Sequence, residues 1–312
     1  MNPISQADLR SIHVLDGGMA TELERHGCDL SGPLWSAHIL DSSPGLIERV
    51  HLDYLRAGAD CISTASYQVS NLGYAEFNRT EADAAHALRQ SVEIAIAARD
   101  EYCRESTRPT FIAASLGPYG AALHNGAEFH GRYTISFDDL VRFHAERLAV
   151  VAETEADLVA LETVPSVEEA RAIAQALQLF PPVAAWVSFT CKDERSVAHG
   201  EPLAECAALL ESSAQVVAIA VNCTQPKFIS SLIGEIQSAS SKPVFVYPNS
   251  GELWNTDNRS WYGSADIAGY ASLATDWYAA RAQAVGGCCR TTPAHIRAVR
   301  QTCEERRAAA SR

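Results

Sequence analysis

The chain has 312 residues, of which 47% are hydrophobic and 20% are charged. This composition supports a large apolar core and excludes collagen-like and low-complexity disordered chains. The 25 basic and 38 acidic residues leave a formal net charge of −13, which disfavours non-specific binding to nucleic acid or to an anionic membrane surface.

Signals for export or membrane insertion are not found in the sequence. No run of about 18 apolar residues predicts a transmembrane helix, and residues 1–8 lack the basic and apolar regions of a secretory signal peptide. The nine cysteines are an odd number scattered along the chain, which argues against a disulfide framework. We therefore expect a cytoplasmic protein in which clustered cysteines are metal ligands or catalytic thiols.

Short apolar runs rich in β-forming residues alternate with helical patterns along the chain. Continuous apolar runs of this length are typical of strands buried on both faces of a parallel sheet. The predicted strands are residues 12–16, 61–65, 111–116, 158–162, 183–189, 216–221, 244–247 and 284–287. The predicted helices include residues 47–57, 82–100, 137–153, 167–177, 203–211 and 228–239.

Eight βα units predict a single α/β domain over residues 1–312, with the architecture of a (β/α)8 TIM barrel. An open doubly wound sheet is the alternative, and it is weakened because no Gly-x-Gly-x-x-Gly pattern follows the first strand. Two long connections, residues 117–133 and 248–263, follow strand C-termini, where barrel active sites lie. The alternative for both is an ordinary surface loop.

Three helix starts carry candidate capping residues. Ser166 stands three residues before Glu169, in the pattern of a capping box. Thr292 precedes Pro293, which suits an N-cap followed by proline at the first helical position. Thr224 is the candidate cap for the helix after the sixth strand.

Polar residues, glycines and cysteines stand at the C-terminal ends of the predicted strands. In a barrel these positions converge on one mouth although they are far apart in sequence. Cys223 ends the sixth strand, and Cys288 and Cys289 end the eighth. Three thiolates at one mouth would form a tetrahedral zinc site with one open position, which is the arrangement of a catalytic zinc.

The adjacent pair Cys288 and Cys289 poses a geometric problem, because successive side chains of a strand point to opposite faces. Both reach one metal only where the backbone bends, and Gly286 and Gly287 supply that freedom. The other interpretations of the pair are two small core residues or a strained vicinal disulfide.

Several longer motifs belong to a common pattern. They include Leu-Asp-Gly-Gly-Met-Ala-Thr-Glu-Leu at 15–23, Gly-Pro-Tyr-Gly at 117–120, Leu-Glu-Thr-Val-Pro at 161–165, Tyr-Pro-Asn-Ser-Gly-Glu at 247–252 and Gly-Gly-Cys-Cys-Arg-Thr at 286–291. With these motifs the sequence resembles the zinc-dependent homocysteine S-methyltransferases of the (β/α)8 class, particularly those that use S-methylmethionine. The resemblance covers nearly the whole chain and implies a Zn²⁺ ion held by Cys223, Cys288 and Cys289.

The resemblance also implies a reaction. A methyl group would pass from S-methylmethionine, or more weakly from S-adenosylmethionine, to homocysteine, giving methionine in a step of amino-acid biosynthesis. A free thiol has a pKa near ~8.5, so coordination to zinc would keep the homocysteine sulfur as the nucleophilic thiolate at neutral pH. Because a methylsulfonium donor leaves as a neutral thioether, no protein general acid or base is expected.

Six residues are candidates for binding the amino-acid part of homocysteine: Asp16, Gly17, Gly18, Thr64, Glu162 and Asn222. The two carboxylates would pair with its ammonium group, since a buried carboxylate is costly without a partner. The alternative role of Asp16 is to cap the glycine turn, and the alternative role of Glu162 is to form a structural ion pair. The glycines would let backbone N–H groups approach the ligand carboxylate. The threonine and asparagine would hydrogen-bond the ligand or the zinc shell, or pack within the barrel.

The donor side has weaker candidates: Trp35, Tyr67, Gln68, Tyr247 and Asn249. A sulfonium can sit against an aromatic face as other cations do. Trp254 is a further candidate, and the alternative for both tryptophans is a core or loop anchor. Of the histidines, only His130 lies in a suggestive loop.

Other functions remain open at this point. Betaine is the main alternative donor, and selenocysteine is an alternative acceptor. Betaine enzymes of the superfamily tend to be longer and carry a C-terminal oligomerisation segment, so we expect the S-methylmethionine type, a monomer, and small-molecule substrates as the partners. A cobalamin-dependent enzyme would need further domains. Outside this class, a metal-free barrel could use Cys288 and Cys289 as a thiol–disulfide redox switch, which would not require Cys223.

Overall fold

Strands and helices alternate through the computed structural model, which describes residues 1, 4–29, 36–181, 183–255, 260–263 and 265–310. The strands are β1 (Cys61–Ser63), β2 (Phe111–Leu116), β3 (Leu158–Val164), β4 (Ala185–Phe189), β5 (Val216–Asn222), β6 (Val244–Tyr247), β7 (Leu253–Asn255), β8 (Ser260–Tyr262) and β9 (Ala284–Val285). The α-helices are α1 (Gln6–Ser11), α2 (Met19–Arg25), α3 (Ser36–Ser42), α4 (Pro44–Ala57), α5 (Asn71–Ala75), α6 (Glu81–Tyr102), α7 (Tyr119–Ala122), α8 (Phe137–Val151), α9 (Val167–Leu177), α10 (Leu203–Glu211), α11 (Ile229–Ala239), α12 (Ile267–Ala279) and α13 (Pro293–Ala310). Two short 3-10 helices span Ala127–Phe129 and Pro226–Phe228.

Seven of the strands form one parallel sheet in the order β1-β2-β3-β4-β5-β6-β9. The helices between consecutive strands provide the crossovers that parallel pairing requires. The remaining strands, β7 and β8, form an antiparallel hairpin in the connection between β6 and β9. The sequence predicts only a loop over residues 248–263, so this hairpin is a difference from the prediction.

The first predicted strand closes the sheet into a barrel, but it is shorter than predicted. Within residues 12–16, Val14 bridges Val285 of β9 and Leu15 bridges Cys61 of β1. The Leu15 N–H also donates a hydrogen bond to the carbonyl oxygen of Val285 at 3.0 Å. Both edge strands of the sheet therefore pair with the same segment. The (β/α)8 prediction is confirmed, and the alternative of an open sheet is wrong.

All six predicted helices are present; α9 and α10 have the predicted ends, and the other four differ from the prediction by one to three residues at an end. Helix α13 begins at Pro293 as predicted, and Ser166 Oγ accepts a hydrogen bond from the Glu169 N–H at 3.2 Å at the start of α9. The Glu169 carboxylate does not return the capping bond and binds elsewhere. The capping role of Thr224 is wrong, because α11 begins only at Ile229. None of the described helices is long and apolar enough to cross a membrane.

Alternate residues of the strands point into the barrel and form its inner core. Small residues such as Ala113, Ala160 and Ala220 leave room for Trp186 and Phe245, whose ring centroids are 5.6 Å apart in an edge-to-face contact. At the C-terminal ends of the strands the inward positions become polar, and we call these residues the polar layer: Ser63, Ser115, Glu162, Ser188, Asn222 and Tyr247. The polar layer separates the apolar core from the mouth of the barrel.

Candidate active site

Three cysteine sulfurs meet at the mouth of the barrel. Cys223 directly follows β5, while Cys288 and Cys289 follow β9 after two glycines. The Sγ atom of Cys289 lies 4.0 Å from Sγ of Cys223 and 4.0 Å from Sγ of Cys288. Four sulfurs that surround a tetrahedral zinc ion at about 2.3 Å are about 3.8 Å apart. The spacing therefore fits a metal site with three protein ligands and one open position.

Backbone geometry brings the adjacent cysteines together in a way that the sequence only partly predicts. Gly286 and Gly287 are not among the residues with positive φ in the described chain, whereas Cys223 has φ 48° and Arg290 has φ 65°. A Cβ atom on Gly286 would lie 2.6 Å from Cβ of Leu15. The glycines are thus needed for close approach to the first segment, and the left-handed turns lie at Cys223 and Arg290.

Hydrogen bonds among the thiols favour one thiolate in the cluster. Bonds from Cys223 and from Cys288 lower the pKa of Cys289 well below its usual range. Hydrogen bonds to Cys288 and Cys289 raise the pKa of Cys223. All of the cysteines are free thiols in the structure. A thiolate is the form that binds a metal ion, so the cluster is prepared for one.

Two buried carboxylates lie at the same mouth. Asp16 Oδ2 accepts a hydrogen bond from the Ser63 N–H at 2.7 Å, and Glu162 accepts one from the Ser115 hydroxyl. Burial raises the pKa of Asp16 well above its usual range, and the negative charge of Glu162 adds to this. Burial also raises the pKa of Glu162 to about 7. Neither acid forms an ion pair within the described residues, so both are available to a ligand cation.

Thr163 follows Glu162 in a left-handed conformation, with φ 63°, which is strained for a β-branched residue. The Asn222 side chain holds it there: Oδ1 accepts from the Thr163 N–H at 2.9 Å, and Nδ2 donates to Thr163 Oγ1 at 2.8 Å. The Ser188 hydroxyl donates to the same Oδ1 at 2.7 Å. Asn222 therefore lies in a supporting position between Glu162 and Cys223.

The glycine turn after the first segment is packed against α4. A Cβ atom on Gly17 would lie 2.7 Å from Cε1 of Tyr54. The Tyr54 hydroxyl donates to the carbonyl oxygen of Gly18 at 3.0 Å, and the Gly18 N–H donates to Thr291 Oγ1 at 3.1 Å. Only glycine fits this turn, because a larger residue would collide with α4 or with the segment that carries the cysteines.

Thr64 lies beside the polar layer in a cluster of hydroxyl groups. Its Oγ1 accepts a hydrogen bond from the Ser115 N–H at 3.0 Å and is 2.6 Å from Ser66 Oγ. Thr64 is buried at the end of β1, near the two serines that bond the mouth carboxylates. Thr64 is thus connected to Glu162 through Ser115, whose N–H bonds the threonine and whose hydroxyl bonds the carboxylate.

Four of the predicted donor-side residues lie in the part of the chain that the structure describes. Burial, followed by the negative charge of Glu128, raises the pKa of Tyr67 well above its usual range. The Tyr247 hydroxyl accepts a hydrogen bond from Trp186 Nε1 at 3.0 Å. Gln68 Oε1 and Asn249 Oδ1 are buried without a hydrogen-bond partner in the structure as described. Each of these two amides has an acceptor oxygen free to bind a ligand.

The three other predicted positions are Trp35, Trp254 and His130. Trp35 lies outside the described residues, and so does the side chain of Trp254. His130 is exposed, and its Nδ1 accepts a hydrogen bond from the Arg132 N–H at 2.9 Å. The histidine therefore stabilises its own loop.

Sequence reasoning missed Glu128, which lies in the same connection as His130. The side chain of Glu128 is 9% exposed, and its Oε2 has no hydrogen-bond partner in the described structure. Burial raises its pKa to about 7. No spacing rule picks out this acid, because its burial depends on the 3-10 turn that carries it.

A buried charged network anchors the start of this connection. Glu169 Oε1 accepts a hydrogen bond from the Tyr119 N–H at 2.6 Å and lies 3.0 Å from His144 Nε2. Arg147 contacts His144 Nδ1 at 3.0 Å and donates to the carbonyl oxygen of Gly117 at 2.7 Å. Burial lowers the pKa of His144, so the ring is neutral and links a carboxylate to a guanidinium.

One other group of potential ligands occurs among the described residues. Glu22, His26 and Asp53 have ligand atoms within 4.8 Å of one another. However, Arg25 pairs with Glu22 at 2.8 Å, and Arg49 pairs with Asp53 at 3.1 Å. These arginines already compensate the carboxylates, so the cysteine cluster is the candidate metal centre.

The chain is similar over nearly its whole length to proteins of one known family. The profile of the homocysteine S-methyltransferase family matches residues 13–303. Homocysteine S-methyltransferase YbgG of Bacillus subtilis (strain 168) is 46% identical over 305 residues, covering 96% of this chain and 97% of the relative. Selenocysteine Se-methyltransferase of Brassica oleracea var. italica is 43% identical over 309 residues, covering 94% of this chain and 89% of the relative. The crystal structure of the homocysteine methyltransferase MmuM from Escherichia coli, in its metallated form, superposes with a TM-score of 0.86 at 40% identity, covering 95% of this chain and 98% of the other. The chain belongs to the homocysteine S-methyltransferase family.

Proposed function

We propose that the protein transfers a methyl group from S-methylmethionine to homocysteine on a zinc ion and releases methionine, with S-adenosylmethionine as a weaker donor. The observation that carries this proposal is the triangle of thiols at the mouth beside two buried carboxylates without a cation. A metal and an amino-acid ammonium group together would complete such a site. The names of the relatives support homocysteine as the acceptor.

Cys223, Cys288 and Cys289 would hold the zinc ion, because thiolates are preferred zinc ligands and the three sulfurs lie within 4.8 Å of one another. When bound, zinc supplies Lewis acidity, which keeps the sulfur of homocysteine deprotonated at neutral pH. Three protein ligands leave one position for that sulfur. The protein's own contribution at this point is the fixed placement of the three thiols.

Asp16 and Glu162 would receive the ammonium group of homocysteine. Burial raises the pKa of both acids, so a ligand cation is what would keep them ionised together. Backbone at Gly17 and Gly18 would face the ligand carboxylate, and the Thr64 hydroxyl would complete the amino-acid pocket. Asn222 would act indirectly, by holding the turn that follows Glu162.

Methyl transfer needs alignment more than proton chemistry. The methyl carbon forms a bond to the homocysteine sulfur while its bond to the sulfonium sulfur breaks, and the electron pair of the broken bond stays on the departing thioether. No proton moves in this step, so no side chain acts as a general acid or base. The barrel mouth would align the two sulfurs and exclude water, with Tyr67 and Tyr247 beside the donor.

The first test is the zinc content of protein purified with reductant and without chelator, measured by plasma mass spectrometry. We expect one zinc per chain. Initial rates with homocysteine should then be highest with S-methylmethionine, lower with S-adenosylmethionine and lowest with betaine. A protein that stays zinc-free after reconstitution would contradict the metal site, and a preference for betaine would contradict the donor.

The acceptor has a second candidate, because one relative is named a selenocysteine Se-methyltransferase. Selenocysteine has a selenol in place of the thiol and would occupy the same metal position. Parallel assays with both acceptors rank them by kcat/KM. The free-thiol count before and after mild oxidation tests the metal-free redox switch, which requires reversible loss of two thiols at Cys288 and Cys289.

We also propose that the protein acts in the cytoplasm as a monomer on small molecules, without nucleic acid or membrane partners. The net charge of −13 supports the last point, since it repels polyanions. Sedimentation velocity tests the monomer, because a dimer would double the mass.

A further inference from the structure

Glu128 is a buried carboxylate at the mouth that homocysteine binding, as proposed above, does not use. It occupies the middle of the 3-10 helix Ala127–Phe129, which packs against β3. Gly126, with φ 79°, precedes this turn, and the Gly131 N–H closes it with a hydrogen bond of 2.7 Å to the carbonyl oxygen of Ala127. Phe129 is 52% exposed while Glu128 is 9% exposed, so the turn directs the acid inward.

The backbone at Glu128 has little freedom to move away. Gly120 lies directly against it, and a Cβ atom on Gly120 would be 2.7 Å from the carbonyl carbon of Ala127 and 2.9 Å from Cα of Glu128. Tyr119, next to this glycine, is bonded through its N–H to the buried carboxylate of Glu169. The turn is therefore fixed to the barrel through the same network that anchors the start of the connection.

The carboxylate of Glu128 has no cation of its own. Its Oε2 is buried without a hydrogen-bond partner, and no ion pair to Glu128 exists among the described residues. No basic group contributes to the pKa of Glu128, which burial raises to about 7. A buried carboxylate without a partner destabilises the empty protein. A ligand that carries a positive charge would remove this cost when it binds.

Glu128 and Tyr67 pack against the same short segment, because a Cβ atom on Gly117 would lie 2.9 Å from Cε2 of Tyr67 while Gly120 lies against Glu128. After burial, the charge of Glu128 is the largest influence that raises the pKa of Tyr67, ahead of Cys223. At Cys289, hydrogen bonds from the other two thiols lower the pKa, and the charge of Glu128 acts against them. Glu128 therefore lies on the same side of the mouth as Tyr67.

We propose that Glu128 is the counter-ion of the positively charged methyl donor. This inference rests on the proposed function, because S-methylmethionine carries a sulfonium and an ammonium group against one carboxylate and so has a net positive charge. Asp16 and Glu162 bind the ammonium group of homocysteine, and Glu128 compensates the positive charge of the donor. A neutral thioether product has less charge to hold, so the same carboxylate favours exchange of product for new donor.

The sulfonium charge disappears as the methyl group is transferred. A carboxylate that stabilises the donor cation therefore stabilises bound substrate at least as much as the transition state. Loss of the charge at Glu128 should raise the donor KM without lowering kcat. A residue that only shapes the loop would affect kcat and the homocysteine KM as well.

The test compares Glu128→Gln with the wild-type protein, both loaded with zinc. We expect the KM for S-methylmethionine to rise about tenfold, the value of one favourable charge pair of about 1.4 kcal/mol, while kcat and the homocysteine KM stay within about twofold. Titration calorimetry of S-methylmethionine into each protein should show the same loss of affinity. Glu128→Asp keeps the charge and should retain most donor binding.

Glu155→Gln is the matched control, because it removes the same charge from an exposed residue just before β3, at the far end of the barrel. It should leave every parameter unchanged. A wild-type donor KM in Glu128→Gln, or equal rises in both substrate KM values, would overturn this inference alone. Absence of transfer by the wild-type protein from S-methylmethionine would instead overturn the proposed function, and this inference with it. Circular dichroism confirms that the variants are folded, and Glu128→Gln should melt no lower than wild type.

Discussion

Buried carboxylates at the two ends of the barrel are partnered in opposite ways. At the N-terminal end, Asp60 forms an ion pair with Arg300 and accepts backbone N–H bonds from His13 and Val14, both at 2.9 Å. At the mouth, Asp16 accepts a bond from Ser63 and has no cationic partner in the part of the chain that the structure describes. The charge of Asp60 is therefore compensated within the protein, whereas the charge of Asp16 is not.

The difference assigns stability to one end and ligand binding to the other, which is the usual division in barrels of this type. An acid that is paired within the protein belongs to the fold, because removal of its partner leaves a buried charge uncompensated. An acid that is buried and unpaired costs stability in the empty protein, so its presence at the mouth indicates a charged ligand. Four substitutions test this division.

Arg300→Met should give the largest effect, and on stability alone. Arg300 donates to the carbonyl oxygen of Gly58 at 2.8 Å in addition to its pair with Asp60, so its removal leaves a buried charge uncompensated. We expect a loss of about 3–5 kcal/mol in the free energy of unfolding, measured by urea denaturation. The homocysteine KM of the folded variant should not change. A shift in that KM would mean that the two ends are not independent.

Cys289→Ser should act at the mouth alone. An alcohol does not replace a thiolate as a zinc ligand. Even the loss of a residue that only hydrogen-bonds a metal ligand typically lowers metal affinity or activity about 10–100-fold. We therefore expect loss of zinc and at least a hundredfold drop in kcat/KM, with an unchanged fold by circular dichroism. Cys103→Ser, at an exposed thiol, is the control and should keep both. Full zinc and activity in Cys289→Ser would refute the three-thiol site.

Glu162→Gln should make the empty protein more stable and weaken homocysteine binding. The pKa of Glu162 is about 7 when folded and near 4.5 when unfolded, so the folded state holds the proton between these values. Its contribution therefore makes the wild-type free energy of unfolding fall as pH rises from about 4.5 to 7. The variant should lack this fall and be more stable at pH 8 by roughly 1–3 kcal/mol. Urea titrations across pH measure this, and equal pH profiles would contradict an unpaired acid.

Tyr54→Phe should give the smallest effect. Its hydroxyl bonds the carbonyl oxygens of Gly18 and Thr291, at 3.0 and 3.2 Å, so the deletion should cost about 1 kcal/mol and raise the homocysteine KM a few-fold. Tyr278→Phe is the counterpart at the other end, where the hydroxyl donates to the carbonyl oxygen of His13 at 2.7 Å. It should cost similar stability and leave the KM unchanged. Equal changes of the homocysteine KM in Tyr54→Phe and Tyr278→Phe would contradict the assignment of ligand binding to the mouth alone.

The barrel was predictable because its signals are local. Apolar runs and helical periods repeat along the chain, and the cysteines stand in motifs at strand ends. The same parity that places Ala160 inside the barrel also points Glu162 into the mouth. Such inferences need only the sequence near each residue and the geometry of a strand.

Features that depend on distant partners could not be predicted. The left-handed turn at Thr163 is held by Asn222, which is 59 residues away in sequence. Glu169 has the spacing of a capping box, but His144 and Tyr119 take its carboxylate after folding. The burial of Glu128 similarly depends on a turn against Gly120. Short-range rules assign none of these contacts, because the competing partner comes from another element.

The seam at which Val14 and Leu15 close the barrel has a consequence for its motions. One residue pair bridges this segment to each edge strand, whereas four residue pairs join β3 and β4. Local opening should therefore begin there, and deuterium exchange at its amides should be faster than in the central strands. The Gly287 N–H bonds the carbonyl oxygen of Asp16 at 2.9 Å, across the seam. A ligand that contacts both Asp16 and the cysteines would hold the two sides of the seam together. It should slow deuterium exchange in the Val14–Leu15 segment and in β9 while leaving exchange in β3 and β4 unchanged.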